Sequence, residues 1–154
     1  MKKDTFLSKL NLLWENFQQS YADLDKEQMT QPGVTGNWSV KDIIAHVTTW
    51  EEESLQSLPL ILQGQKLSKY SDKYGGIDAF NAQMTEAKAN LTLNEVLASQ
   101  YQTHERLITY LQEVDEAHFK SSTRFFRRLN MDAYYHYPEH TEAIKAWREK
   151  NLQN

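Results

Sequence analysis

Apolar side chains recur along this chain at steps of three and four, the period of a helix with one buried stripe. Phe6, Leu10, Leu13, Trp14, Phe17 and Tyr21 set the pattern and predict a first helix over about residues 4–24. Leu24 to Met29 adds a loosely helical turn, which Gln31-Pro32-Gly33 and Thr35-Gly36-Asn37 end. Ser39-Val40-Lys41-Asp42 then has the form in which the hydroxyl caps a helix while the acid reaches back to a free backbone N–H. A second helix therefore starts near Val40, with Val40, Ile43, Ile44, Val47 and Trp50 on its apolar face and His46 beside Ile43 and Trp50. Pro59 is expected to kink or end it. Residues 63–77 are polar, with Gly64, Gly75 and Gly76, and form a long loop of the kind that covers a site. Asp78 is placed to cap a short extra helix through Phe80, Met84 and Ala87. Thr92-Leu93-Asn94-Glu95 opens a long helix that ends near Glu113, with Val96, Leu97, Tyr101, His104, Leu107, Ile108 and Leu111 on its stripe. Residues 115–130 read as irregular, and a last helix covers about residues 131–150. Within it Pro138 demands either a kink or a regular start at that residue. No alternating strand pattern and no internal repeat is present. Four main helices with short connections predict an all-α, antiparallel four-helix bundle, with the extra helix and the long loop between its second and third helices.

Length and composition narrow the picture. A chain of 154 residues suits a single domain over 1–154 and buries about 70% of its unfolded surface. A net charge of −4 lacks the basic face that nucleic acid or an anionic membrane requires, so neither is expected as a partner. No apolar run of about 18 residues and no leader pattern occurs, which predicts a cytoplasmic protein. With no cysteine, the chain has no thiol nucleophile and no Cys-type metal knuckle; any thiol must arrive as a cosubstrate, and any metal site must use His, Asp, Glu and water.

Candidate chemistry centres on Tyr135-His136-Tyr137-Pro138-Glu139-His140. Residues four apart on a helix leave the same face, so His136 and His140 supply two ligands to one transition metal, and His46 on a facing helix supplies a third. The other reading has each ring hydrogen-bonded in the core, and spacing alone leaves the two open. His104 is a fourth ligand, a base, or a core histidine that donates to a carbonyl. Trp50, Tyr101, Tyr135 and Tyr137 are candidates for a pocket wall, although aromatic stripes at helical spacing are more often core. Asp42 is explained by its cap, His118 belongs to the surface, and Arg124, Arg127 and Arg128 form either an anion site or a solvated face.

Gly36-Asn37-Trp38-Ser39-Val40-Lys41-Asp42-Ile43-Ile44-Ala45-His46-Val47 with Trp50-Glu51, then Asp78-Ala79-Phe80-Asn81, then Tyr135 to Ile144 with Trp147, resembles the DinB-like superfamily. Within it the chain is most similar to the ClbS/DfsB-type four-helix bundle proteins, over nearly its whole length. The resemblance implies an up-up-down-down bundle, often a homodimer, with zinc or nickel held by His46, His136 and His140. It also implies a small-molecule substrate and, in some branches, a low-molecular-weight thiol. The expected function is a metal-dependent hydrolase or thiol transferase acting on a small electrophile or toxin, with Trp50, Tyr101, His104 and Tyr137 as pocket residues. A self-protection protein that sequesters its ligand, or a dimer with merely buried histidines, are the alternatives. Residues 121–130 match no motif of that family.

Overall fold

Helix boundaries follow the caps more than the apolar stripes. The computed structural model describes residues 1–152. Helix α1 covers Lys3–Gln19 and stops short of the expected end, because the Ser20 hydroxyl and backbone N–H turn back onto the last carbonyls. A one-turn helix α2, Lys26–Thr30, follows, opened by a reciprocal pair of bonds between Asp25 and Gln28. Helix α3, Val40–Leu62, starts on the predicted box: the Asp42 N–H donates to Ser39 Oγ and the Ser39 N–H donates to Asp42 Oδ2. Pro59 does not end α3, which continues to Leu62. So near a helix end the bond that proline removes is one of the last, and Gln63 still donates to the Pro59 carbonyl at 3.1 Å.

The expected loop contains a single turn, α4, Tyr70–Lys73. Helix α5, Ile77–Lys88, then begins at Gly76 (φ 122°), not at a capping Asp78. Asp78 instead lies in the first turn, where its charge faces the positive end of the helix dipole. Helix α6, Leu93–Glu113, opens on the Thr92/Glu95 box. The stretch expected to be irregular holds a 3₁₀ turn at Glu116–His118 and helix α7, Arg124–Leu129, capped by Thr123.

The last helix also starts differently from the expectation. Asn130–Tyr134 forms a π turn in which Tyr135 N–H reaches back to the Asn130 carbonyl at 2.9 Å, and α8, His136–Asn151, follows. Pro138 lacks an N–H and would crowd the Tyr134 carbonyl inside a regular helix. The wide turn relieves that conflict and leaves Pro138 in the first turn of α8, where an N–H has no intrahelical partner to lose.

Helices α1, α3, α6 and α8 make the four-helix bundle. Helix α3 is its centre: it packs on α6, α5, α7 and α8, while α1 lies on α8. Phe6, Leu10, Phe17, Ile43, Ile44, Leu107, Leu111 and Ile144 fill the interior and are almost fully buried. No strand occurs among the described residues, and none of their helices is long and apolar enough to cross a membrane.

Candidate metal centre

Three imidazoles from two helices converge on one point. The Ser39 box fixes where α3 begins and hence its rotation, which turns His46 inward about two turns later, beneath the Trp38 ring at 4.7 Å between centroids. The π turn sets the start of α8, so His136 is its first residue and His140 lies one turn further on the same face. His136 Nε2 lies 3.0 Å from His46 Nε2 and 2.9 Å from His140 Nε2. All three rings are buried, and their ligand nitrogens lie within 4.8 Å of one another.

This arrangement fits a cation better than it fits a hydrogen-bonded core. The Nε2 of a neutral imidazole is a donor or an acceptor, never both, so His136 Nε2 cannot complete good bonds to two other Nε2 atoms. Nδ1 of His136 and of His140 meet no side-chain partner, and the Asp132 backbone beside the His136 ring favours a proton on Nδ1, which leaves Nε2 as an acceptor, the ligating form. Three nitrogens on a tetrahedral ion with bonds of about 2.0–2.1 Å sit about 3.3 Å apart, close to the spacing here. Burial pushes the imidazolium pKa down to about 2 for His46, about 3 for His136 and about 4 for His140. Neighbouring imidazoles add to the effect, His136 and His140 on His46 and His140 on His136. The rings are therefore neutral at pH 7, which is the ligating form.

The triad opens onto a cavity of about 340 Å³ walled by Trp38, Trp50, Ile77, Asn81 and Met131, with Asp132 and Glu139 as its carboxylates. Trp50 is fixed there by donating its indole N–H to Asn81 Oδ1 at 2.9 Å. Asp132 precedes His136 by four residues and so shares its face. Its Oδ2 accepts from Arg128 Nε at 2.6 Å and from Ser54 Oγ at 2.7 Å. Burial nevertheless raises the Asp132 carboxyl to about 6, with Arg128 and Ser54 acting in the opposite direction. Arg128 also donates to the Tyr70 hydroxyl, which donates to Glu53, so the connection before α5 is tied to this wall.

Of the four expected pocket residues, the structure brings only Trp50 to the cavity. Tyr137, one residue past His136, points about 100° further round α8 and is buried in the core, where its hydroxyl donates to Glu51 Oε2 at 2.6 Å. His104 Nδ1 meets the same Glu51 oxygen at 2.7 Å, and its ring stacks on Trp14 at 3.8 Å. Tyr101 is 55% exposed on α6, where it packs against the edge of Trp14 and lines, with His104, a separate groove between α1 and α6. None of the three lines the triad's cavity: Tyr101 and His104 belong to α6, and Tyr137 turns from α8 into the core. Tyr135 is also exposed. Among the arginines, Arg128 turns inward, whereas Arg124 and Arg127 are exposed and donate to the carbonyls of Gln65 and Ser122.

Sequence reasoning missed Glu51, Asp132 and Asn81 as members of these clusters. Glu51 lies seven residues from both Ile44 and Leu58, on the apolar stripe, and a charge in that register was the available signal. Asp132 continues the four-residue spacing of His136 and His140 backwards, which was legible too. Asn81 had no signal beyond its place in the resembling Asp78–Asn81 stretch.

A helical bundle with three converging histidines beside a lateral cavity is the class that these features define. Residues 9–144 match the profile of the DinB superfamily, and the chain belongs to it. Among solved structures it is similar to the sibling lethal factor precursor DfsB, with 14% identity and a TM-score of 0.84 over 100% of this chain and 99% of that one. It is similar to the colibactin self-resistance protein ClbS in complex with a dsDNA, with 10% identity and a TM-score of 0.81 over 96% of each chain. A protein from Streptococcus pneumoniae shares 12% identity and a TM-score of 0.80 over 97% of this chain and 91% of its own. At these identities the likeness shows the fold. No curated protein matches the sequence.

Proposed function

We propose that this chain is a divalent-metal-dependent enzyme acting on a small electrophile, with the ion held by Nε2 of His46, His136 and His140. The convergence of three buried, neutral imidazoles carries the reading. Zinc or nickel suits such a nitrogen set. Held by these three nitrogens, a divalent ion would supply Lewis acidity, lowering the pKa of water at the site. The protein supplies the rest. Trp38 and Trp50 exclude bulk water beside the triad, and Arg128 and Ser54 hold Asp132 so that its carboxylate faces the cavity as an acceptor for the displaced proton.

Hydrolysis is favoured over transfer to a low-molecular-weight thiol. Besides the histidines, Asp132 and Glu139 are the ionisable residues lining the cavity, so an anionic thiol is repelled by carboxylates there, whereas neutral water is not. Metal analysis of untagged protein tests the centre, with His140→Ala as control. About one ion per chain is expected in the parent and almost none in the variant; a parent that binds no zinc or nickel on addition sinks the reading. Turnover of an aryl ester and of styrene oxide, with and without added thiol, then tests the reaction: loss of turnover in His140→Ala and no dependence on thiol are expected.

A second reading has one observation in its favour, the likeness to ClbS, described as a self-resistance protein. Under it the cavity holds a toxic molecule without turnover, so binding that survives in the absence of any product distinguishes the two. The same structure's DNA makes duplex DNA a useful probe: at physiological salt and a net charge of −4, no change in the anisotropy of a labelled duplex is expected.

A further inference from the structure

We propose that Asn81 orients the ligand of this cavity by donating from Nδ2 to an acceptor oxygen, a carbonyl or an epoxide, on an otherwise apolar molecule. The inference deepens the metal-enzyme reading and rests on it for the reaction, although the binding role stands without it. An amide side chain carries an oxygen and a nitrogen of nearly equal shape, so its direction must be settled by its partners. The indole N–H only donates. Trp50 Nε1 lies 2.9 Å from Asn81 Oδ1, which fixes the oxygen toward Trp50 and turns the NH₂ the other way. No acceptor among the described residues takes that NH₂, and Asn81 is half-buried in the wall of the cavity that the triad shares.

The donor is also held rigidly. Phe80, the residue before Asn81, is almost fully buried and packs against Trp50 at 5.2 Å, Tyr70 at 5.1 Å and Tyr74 at 4.8 Å between ring centroids. These contacts anchor the start of α5 to α3. On the far side, the Arg128 guanidinium lies over the Trp50 ring at 5.8 Å. A donor fixed in advance, at the edge of a cavity, is the arrangement that stabilises charge building up on an oxygen. Part of the same wall is apolar: Ile77 is 48% and Met131 66% exposed, and both line the cavity with Trp38 and Trp50, while Asp132 and Glu139 are its carboxylates. A neutral, mostly apolar molecule with one acceptor oxygen matches this wall, and a hydrogen bond to that oxygen makes the adjacent carbon more electrophilic.

The competing account is that Asn81 merely satisfies the Trp50 indole. Asn81→Asp separates the two, since a carboxylate still accepts from Trp50 and has no hydrogen to give. The probe is acetophenone labelled with ¹³C at the carbonyl, followed by isotope-edited infrared spectroscopy on zinc-treated and on chelator-treated protein. In the parent the bound C=O band is expected below its position in an apolar solvent, in both preparations. Asn81→Asp is expected to lose that displacement and to bind about two- to tenfold more weakly, with the urea midpoint preserved. If the variant does not fold, Trp50→Phe keeps an aromatic wall and frees the amide, and is expected to broaden the band. A displacement that persists in Asn81→Asp but vanishes with chelator assigns the oxygen to the metal, overturning the role of Asn81 while the metal reading stands. A displacement that depends on Asn81 in a protein that binds no metal does the reverse. A parent that takes up no acetophenone at millimolar concentration overturns the proposal.

Discussion

The triad's histidines are neutral because water is kept from them, and that makes stability depend on pH in a direction that can be worked out. Their folded pKa values, about 2, 3 and 4, lie below the ordinary 6.5. Between pH 6.5 and 4 the unfolded chain therefore binds protons that the folded chain refuses, so the stability is full above 6.5 and is lost on acidification. Each group contributes a slope of at most about 1.4 kcal/mol per pH unit. Asp132 opposes them: raised from 3.8 to about 6, it lends stability that is full below 3.8 and lost as the pH rises through 6. Three groups outweigh one. The urea midpoint of metal-free protein is expected to fall from pH 7 to pH 4, and the variant with all three histidines replaced by Gln is expected to show a flat or reversed trend. A parent whose midpoint rises on acidification contradicts the assignment. In the same range bound zinc competes with protons for Nε2, so its affinity is expected to weaken steeply below pH 6 in a competition titration.

At the scale of the elements, two features place the histidines, and one network holds the helices that carry them. Ser39→Ala removes the hydroxyl that starts α3 and is expected to cost about 1 kcal/mol in urea unfolding without abolishing metal binding, because the helix frays before it rotates. Glu51 is the larger test. It joins α3 to His104 on α6 and to Tyr137 on α8 from a fully buried position. Glu51→Ala removes the acceptor that both share and leaves a space in the core, with the Tyr137 hydroxyl and His104 Nδ1, 3.3 Å apart, as each other's remaining partner, and is expected to destabilise by about 1–3 kcal/mol. Tyr137→Phe removes a single hydroxyl, and about 1 kcal/mol is expected.

These elements also show what could be seen in the sequence. The boxes at Ser39 and Thr92 and the apolar stripes of α1, α3 and α6 were legible because they are local chemistry. So was the grouping of His46, His136 and His140, as a question of spacing and of resemblance. The π turn was not, since it resolves a conflict between Pro138 and a helix that packing demands, and no local preference encodes that outcome. Nor was the placement of Tyr101, His104 and Tyr137 away from the cavity. Helical period says that a residue faces inward, but a bundle has several inward directions, and only the packing of α6 and α8 around α3 decides between them.

For the whole molecule, the decisive fact is that the triad joins segments far apart in the chain: His46 and His136 are separated by 90 residues. An ion held by both links α3 to α8 in the folded state and finds no such arrangement in the unfolded chain. Binding therefore stabilises the fold by mass action, about 2.7 kcal/mol at an ion concentration one hundred times Kd. For a domain of 154 residues, each kcal/mol raises Tm by about 2–4 °C, so zinc at that concentration is expected to raise Tm by about 5–11 °C, and a chelator should reverse it. The rise should vanish in His46→Ala and in His140→Ala alike, since either leaves two nitrogens from a set of three. In Ser39→Ala it should survive, because that change lowers the baseline without touching a ligand. Equal rises in the parent and in both histidine variants would place the ion elsewhere, for example on surface carboxylates, and would remove the reason for reading the cavity as a metal centre.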